Sequence, residues 1–141
     1  MSFFFENQFT FKSFGACILR AEEVCETQPT YFYILDAKTE SFHDARRKNA
    51  RPDYCRADHT DDLVYIFGLP FLNHESFSDV EREFSEKMMN IWGTFAHSGE
   101  TIWKKFNREE RNIKILDSIE SLTRNKYWAE RLDHIKRSFD L

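Results

Sequence analysis

His59-Thr60-Asp61-Asp62-Leu63-Val64-Tyr65-Ile66-Phe67-Gly68-Leu69-Pro70-Phe71 joins a histidine and two carboxylates to an apolar, aromatic run closed by Gly and Pro. Upstream, Ala37 to Asp58 carry Lys38, Arg46, Arg47, Lys48 and Pro52 with little apolar periodicity, the pattern of a long exposed loop. Before it, Thr30-Tyr31-Phe32-Tyr33-Ile34-Leu35-Asp36 is β-branched and aromatic without clean alternation. That run predicts a central strand covered on both faces, as in a mostly parallel sheet. A histidine at the end of a long loop after such a strand stands where α/β enzymes gather catalytic groups. Read alone, the same residues better describe a surface or core-satisfied histidine whose neighbouring Asp residues cap the next helix.

Working outward, Ser78 and Glu81 form a Ser-x-x-Glu capping box at the start of a helix from Asp79 to about His97, with Gly99 just past its end. Val80, Phe84, Met88, Ile91, Trp92 and Phe95 recur at three- or four-residue spacing and mark its core stripe. On the other side, Ser13 to Glu26 place Phe14, Cys17, Ile18, Ala21, Val24 and Cys25 at helical spacing, and the helix should stop before Pro29. Ile113-Lys114-Ile115-Leu116 predicts a short strand. Ser121 to Phe139 predicts a last helix through Leu122, Tyr127, Trp128, Leu132, Ile135 and Phe139. The expected order is helix, strand, loop, helix, strand, helix, in one continuous unit.

Composition closes several functional classes. With 20 Lys+Arg against 24 Asp+Glu the net charge is -4, which gives no basic field for collecting phosphates, so no nucleic-acid partner is expected. The four glycines include no G-x-G and no pair four residues apart, which removes a phosphate-cradling loop, a dinucleotide fingerprint and a G-x-S-x-G nucleophile elbow. Five histidines without ligand spacing predict no metal site, and no cofactor is implied. The longest apolar runs are far short of the roughly 20 residues that span a bilayer, so no membrane span is expected. Met1 to Asn7 lack the basic and cleavage regions of a signal peptide. Cys17, Cys25 and Cys55 allow one bridge at most and read as buried or free thiols. The unusual feature is 15 Phe, 5 Tyr and 3 Trp, an aromatic content that demands a large core or a partner.

The segment His59 to Phe71 resembles the C-terminal part of type-B carboxylesterases, the carboxylesterase and cholinesterase group of α/β-hydrolases, which carries H-x-x-D/E-L-x-x-V/I-F-G-x-P-F/L. Every place of that pattern is filled. Pro29 to Tyr33 is similar to the family's P-V-Y-x-Y strand, and Met88 to Gly99 to its M-x-x-x-W-x-x-F-A-x-x-G helix end. Trp103 fits the W of W-P-x-Y, although Lys104 replaces the Pro and Phe106 the Tyr. Tyr127-Trp128 fits a closing aromatic-Trp pair, whose usual preceding Cys is absent, Asn125 and Lys126 standing there. The similarity runs from about Phe9 to Leu132.

The resemblance implies an α/β fold, the C-terminal portion of an α/β-hydrolase, with few strands flanked by helices, an incomplete sheet and an apolar face lacking its cover. Residues 1–141 are then one partial carboxylesterase domain. It implies His59 as the histidine of a Ser, Asp/Glu, His triad, base towards the serine and acid towards the leaving alcohol. Asp62 matches the family's acidic position and is a candidate brace of the loop, with a first-turn helix carboxylate as the alternative. Phe67, Leu69, Pro70 and Phe71 are pocket-wall candidates by position, or plain core. The elbow serine, the triad acid and the oxyanion loop have no counterpart here, so the chain is expected to be inactive alone, its longer form acting on small carboxylic esters. Two other readings are a non-catalytic binding or adhesion protein of the same fold, and a truncated product that self-associates through exposed apolar surface. Relatives of this group are mostly secreted or held in the secretory pathway, whereas a chain translated as given would be made in the cytosol.

Overall fold

The structure, a computed structural model, describes residues 15–37, 56, 57, 60–117 and 122–124. Residues 15–24 form helix α1. Strand β1, Tyr33–Leu35, follows, then the short helices α2, Asp61–Ile66, and α3, Leu69–Leu72, and a 3-10 turn, His74–Ser76. The long helix α4 is Asp79–Ser98, and strands β2, Ile113–Leu116, and β3, Leu122–Arg124, complete the described elements. The strand order is β1-β2-β3. The chain divides into two compact units, one of residues 33–103 and 114–122, the other of residues 1–32, 104–113 and 123–141.

In the first unit β1 and β2 run parallel, with Tyr33 opposite Lys114, Ile34 opposite Ile115 and Leu35 opposite Leu116. The parallel pairing agrees with the unalternating β1 sequence. Beyond the strand ends, the Asp36 N–H donates to the Leu116 carbonyl at 2.7 Å. Helix α4 begins as its sequence requires: the Ser78 side chain accepts from the Glu81 N–H, and the Ser78 N–H donates to the Glu81 carboxylate at 2.8 Å. It ends where Gly99 adopts φ +71°, a left-handed geometry that glycine takes without steric cost. Phe84 and Met88 are buried in one cluster with Ala37, Tyr65 and Leu116. Two contacts fasten α2 to α4: the Ser85 hydroxyl donates to the Tyr65 carbonyl at 2.7 Å, and the Tyr65 and Phe84 rings meet edge-on at 4.8 Å.

The core stripe of α4 is narrower than its spacing predicts. Ile91 and Trp92 are half-buried, while Val80 and Phe95 are exposed. Gly68 sits where α2 turns into α3, at φ +70°, and an added Cβ would lie 2.8 Å from the Met89 sulfur. The backbone angle therefore calls for glycine, while the Met89 thioether, at the end of a flexible side chain, could shift to admit a methyl.

The second unit is held by polar ties. Ile18 and Ala21 are the buried stripe of α1. The Phe106 N–H donates to the Thr30 carbonyl at 2.7 Å, the Arg108 guanidinium donates to the Glu22 carbonyl at 2.7 Å, and Arg111 pairs with the Glu22 carboxylate at 2.7 Å.

Several expectations need adjustment. Residues 33–35 form the strand where 30–36 is predicted, and among the described residues β2, not β1, is the middle strand. Gly68 does end α2, yet Pro70 does not stop α3, because a proline in the first helical turn gives up an N–H that has no acceptor there in any case. The predicted last helix fails at its start: Leu122–Arg124 is a strand, sheet pairing there outweighing a helical period that three residues cannot establish. The remainder of that helix, and the loop 38–55, lie outside the described residues.

Candidate functional site

Two polar contacts flank the segment that carries His59. The first joins β1 to α2. The Tyr33 hydroxyl donates to Asp62 Oδ2 at 2.8 Å. Its ring packs edge-on against Trp92 at 4.9 Å and lies 6.0 Å from Trp103, and those two indoles meet at 5.6 Å. Burial, then the hydrogen bond to Asp62 and its charge, push the Tyr33 pKa well above the ordinary tyrosine value, so this phenol stays a donor. Asp62 Oδ1 accepts from the Leu63 N–H at 3.0 Å. Asp61, only 2% exposed, shares the first turn of α2.

The second contact lies at the carboxyl ends of the two parallel strands. Arg56 Nε donates to the Asp36 carbonyl at 2.9 Å and lies 3.4 Å from Asp36 Oδ1, while Nη2 donates to Asp117 Oδ2 at 2.5 Å. Asp36 directly follows β1 and Asp117 directly follows β2. Between the two contacts Thr60 takes φ 72°, a left-handed conformation that costs a β-branched residue about 1–2 kcal/mol.

Of the site residues expected from sequence, His59 lies outside the described residues. Asp62 is in the first turn of α2, the helix-carboxylate alternative of its two readings, and accepts from the Tyr33 hydroxyl; the His59 it is expected to brace lies outside the described residues. Phe67 is 74% exposed and Phe71 is also exposed, with Leu63 and the 81% exposed Leu72 beside them in sequence; Leu69 is half-buried and Pro70 is buried. Phe67 and Phe71 therefore lie outside the buried core of the described residues. A separate cavity of about 360 Å³ is lined by Phe84, Met88, Ile91, Trp103, Leu116 and Asp117 among others, with none of the four candidates in its wall.

The sequence gives no role to Tyr33 or Arg56. Their partners are remote in the chain, and no local spacing encodes such contacts. Among the described residues no group of three His, Cys, Asp or Glu converges on a metal-sized site, and no helix is long and apolar enough to cross a membrane. Cys17 and Cys25 are free thiols, and Cys55 lies outside the described residues.

The α/β arrangement and the sequence from Asp61 to Phe71 find their counterparts among esterases. The family model described as the carboxylesterase family matches residues 7–134, and the chain belongs to that family. Carboxylesterase 5A of Mus musculus is 30% identical over 120 residues, covering 74% of this chain and 20% of the mouse protein. Cocaine esterase of Homo sapiens is 32% identical over 98 residues, covering 64% of this chain and 17% of the human one. Among solved structures, a thermophilic PNB esterase superposes with a TM-score of 0.63 at 27% identity, over 80% of this chain and 23% of that one. A second PNB esterase gives 0.60 at 25% identity, over 79% and 23%. The chain spans about one fifth of the length of the curated relatives it matches. Its fold is thus part of an α/β-hydrolase, with an incomplete sheet and flanking helices.

Proposed function

We propose that residues 1–141 are the C-terminal, histidine-bearing segment of a serine carboxylic-ester hydrolase. The observation that carries this reading is the family match across residues 7–134, within which His59-Thr60-Asp61-Asp62-Leu63 supplies the histidine and its downstream carboxylate. In that role the His59 imidazole accepts the serine hydroxyl proton as the oxygen attacks the ester carbonyl carbon, and returns it to the leaving alkoxide. Water then cleaves the acyl-enzyme by the same route, with His59 again as base. Asp62 braces the loop, and Phe67, Leu69 and Phe71 contribute to the wall that meets the substrate. The substrate class is a small carboxylic ester, as the names of the similar esterases indicate for those proteins.

No G-x-S-x-G occurs in the 141 residues, so the chain by itself has no serine elbow and does not turn over esters. The test is hydrolysis of a short-chain aryl ester by the purified chain, beside His59→Ala and a serine-reactive phosphonate label. No turnover and no label are expected. Turnover abolished in His59→Ala would place a nucleophile inside these residues and overturn the incomplete-site reading.

The exposed Leu63, Phe67, Phe71 and Leu72 favour a second reading, in which the chain self-associates through apolar side chains. Sedimentation of the purified chain as a monomer at micromolar concentration would eliminate it.

A further inference from the structure

We propose that the cavity between α4 and β2 is a binding site for an amphiphilic monocarboxylate, a carboxylic acid with an apolar body of medium length, whose head group is held at Lys114. A carboxylic acid is what cleavage of a carboxylic ester releases, so the site would hold a product of the proposed reaction, but the binding itself does not depend on that reading.

The cavity encloses about 360 Å³, room for roughly 12 waters at ~30 Å³ each and within the range of small-molecule pockets. All its lining residues belong to the first unit. Phe84, Met88 and Ile91 come from α4, Leu116 from β2 and Trp103 from the segment between them, an apolar wall that offers water few partners. Ile102 also lines the cavity, yet it is 94% exposed. An isoleucine standing in water at an apolar opening gains burial when an apolar body fills that opening, which favours occupation.

The charges of the wall select the head group. Alternation along β2 sets Lys114 on the same face as Leu116, and both line the cavity. Lys114 is half-buried, and a lysine in that position lays its stem along apolar surface while its ammonium keeps to the wet end. Lys87, on α4, brings a second ammonium, which pairs with Glu83 at 2.7 Å in an exposed contact. An ammonium carries three N–H donors, so either lysine serves a ligand carboxylate beside an existing contact. Asp117 is the one carboxylate of the wall, and Arg56 Nη2 already holds it at 2.5 Å. Positive charge is therefore in excess around an apolar interior. That arrangement complements an anionic head on a hydrocarbon body and opposes a cationic one.

The test is isothermal titration calorimetry of the full chain with sodium decanoate, kept below its micelle concentration. One saturable site with a Kd on the order of 100 µM is expected. Decyltrimethylammonium, with the same chain and the opposite charge, should bind about tenfold more weakly or worse. Lys114→Met keeps the stem and removes the charge, and should weaken decanoate about fivefold while leaving decanol unchanged. Ile91→Trp fills the cavity and should abolish binding of both. Leu72→Ser, on the exposed apolar surface of α3, should change neither.

Absence of saturable binding overturns the proposal, as does equal affinity for decanoate and the cation. Loss of binding in Leu72→Ser would put the ligand on the exposed surface instead, and full binding in a folded Ile91→Trp would put it outside the cavity; each overturns the proposal. Should Ile91→Trp fail to fold, unchanged decanoate affinity in Lys114→Met overturns it equally. None of these readouts requires ester turnover. A chain that ignores decanoate leaves the hydrolase reading standing, and failure of that reading leaves the site measurable.

Discussion

The Tyr33 hydroxyl reaches Asp62 Oδ2 at 2.8 Å and so ties the first residue of β1 to the first turn of α2, 29 positions further along the chain. Tyr33→Phe keeps the ring between Trp92 and Trp103 but takes the donor from a half-buried carboxylate. The expected loss is about 1–3 kcal/mol in urea denaturation. In a double-mutant cycle with Asp62→Ala, which removes the acceptor, the two losses should be less than additive, and full additivity would show that the bond contributes nothing.

The same phenol should leave a mark at alkaline pH. Its folded pKa is raised above the unfolded value near 10.0, so the folded state holds the proton more tightly. This contribution to stability is fully present below the ordinary tyrosine pKa and is lost as pH rises from there towards the folded value. Thermal melts from pH 8 to pH 11.5 should show a falling limb that Tyr33→Phe flattens.

Ser78→Ala removes the side chain that accepts from the Glu81 N–H and leaves that donor at the start of α4 without its cap. A loss of about 1 kcal/mol is expected, read as a lower midpoint in urea at unchanged slope. Ser78→Asp should recover only part of the stability, because its carboxylate accepts the same bond but loses the hydroxyl's donation to Glu81 Oε2 at 2.9 Å and sets two carboxylates together.

At Gly68 two penalties can be separated. Gly68→Ala meets both the φ of +70° and the Met89 sulfur 2.8 Å away, and should cost about 1–3 kcal/mol, most of it from the backbone because that sulfur ends a flexible side chain that can shift. Adding Met89→Ala to that variant removes the collision but not the backbone strain. The substitution Gly68→Ala should therefore cost about 1–2 kcal/mol in the Met89→Ala background. An equal cost in both backgrounds would assign the whole effect to φ.

The parts of the fold written in local chemistry were readable. Ser78, Glu81 and Gly99 bound α4 to within one residue of the predicted end, and the β2 range is identical to its prediction. What failed depended on distant partners. Leu122 continues a helical pattern with Tyr127 and Trp128, yet Leu122–Arg124 joins the sheet. Val80 and Phe95 fit the apolar stripe of α4 but lie beyond the reach of the buried Phe84 and Met88 cluster. Of the site, the motif around His59 and Asp62 was legible as a family pattern. Tyr33 and Arg56 were not, because a hydroxyl, a guanidinium and the carboxylates they meet have no spacing rule when the connecting loop is long.

The parallel pairing of Tyr33 with Lys114 joins residues about eighty positions apart. The helix α4, whose backbone hydrogen bonds are internal, can start to form once its own twenty residues are in place. The β1–β2 ladder must first close a long loop, which makes sheet formation the slow event of folding. During synthesis at ~5–20 residues per second, the interval between the emergence of the two strands is about 4–16 s. Ile34 and Leu35 wait that long for Ile115 and Leu116, an opening in which chaperones and aggregation compete for the same edge.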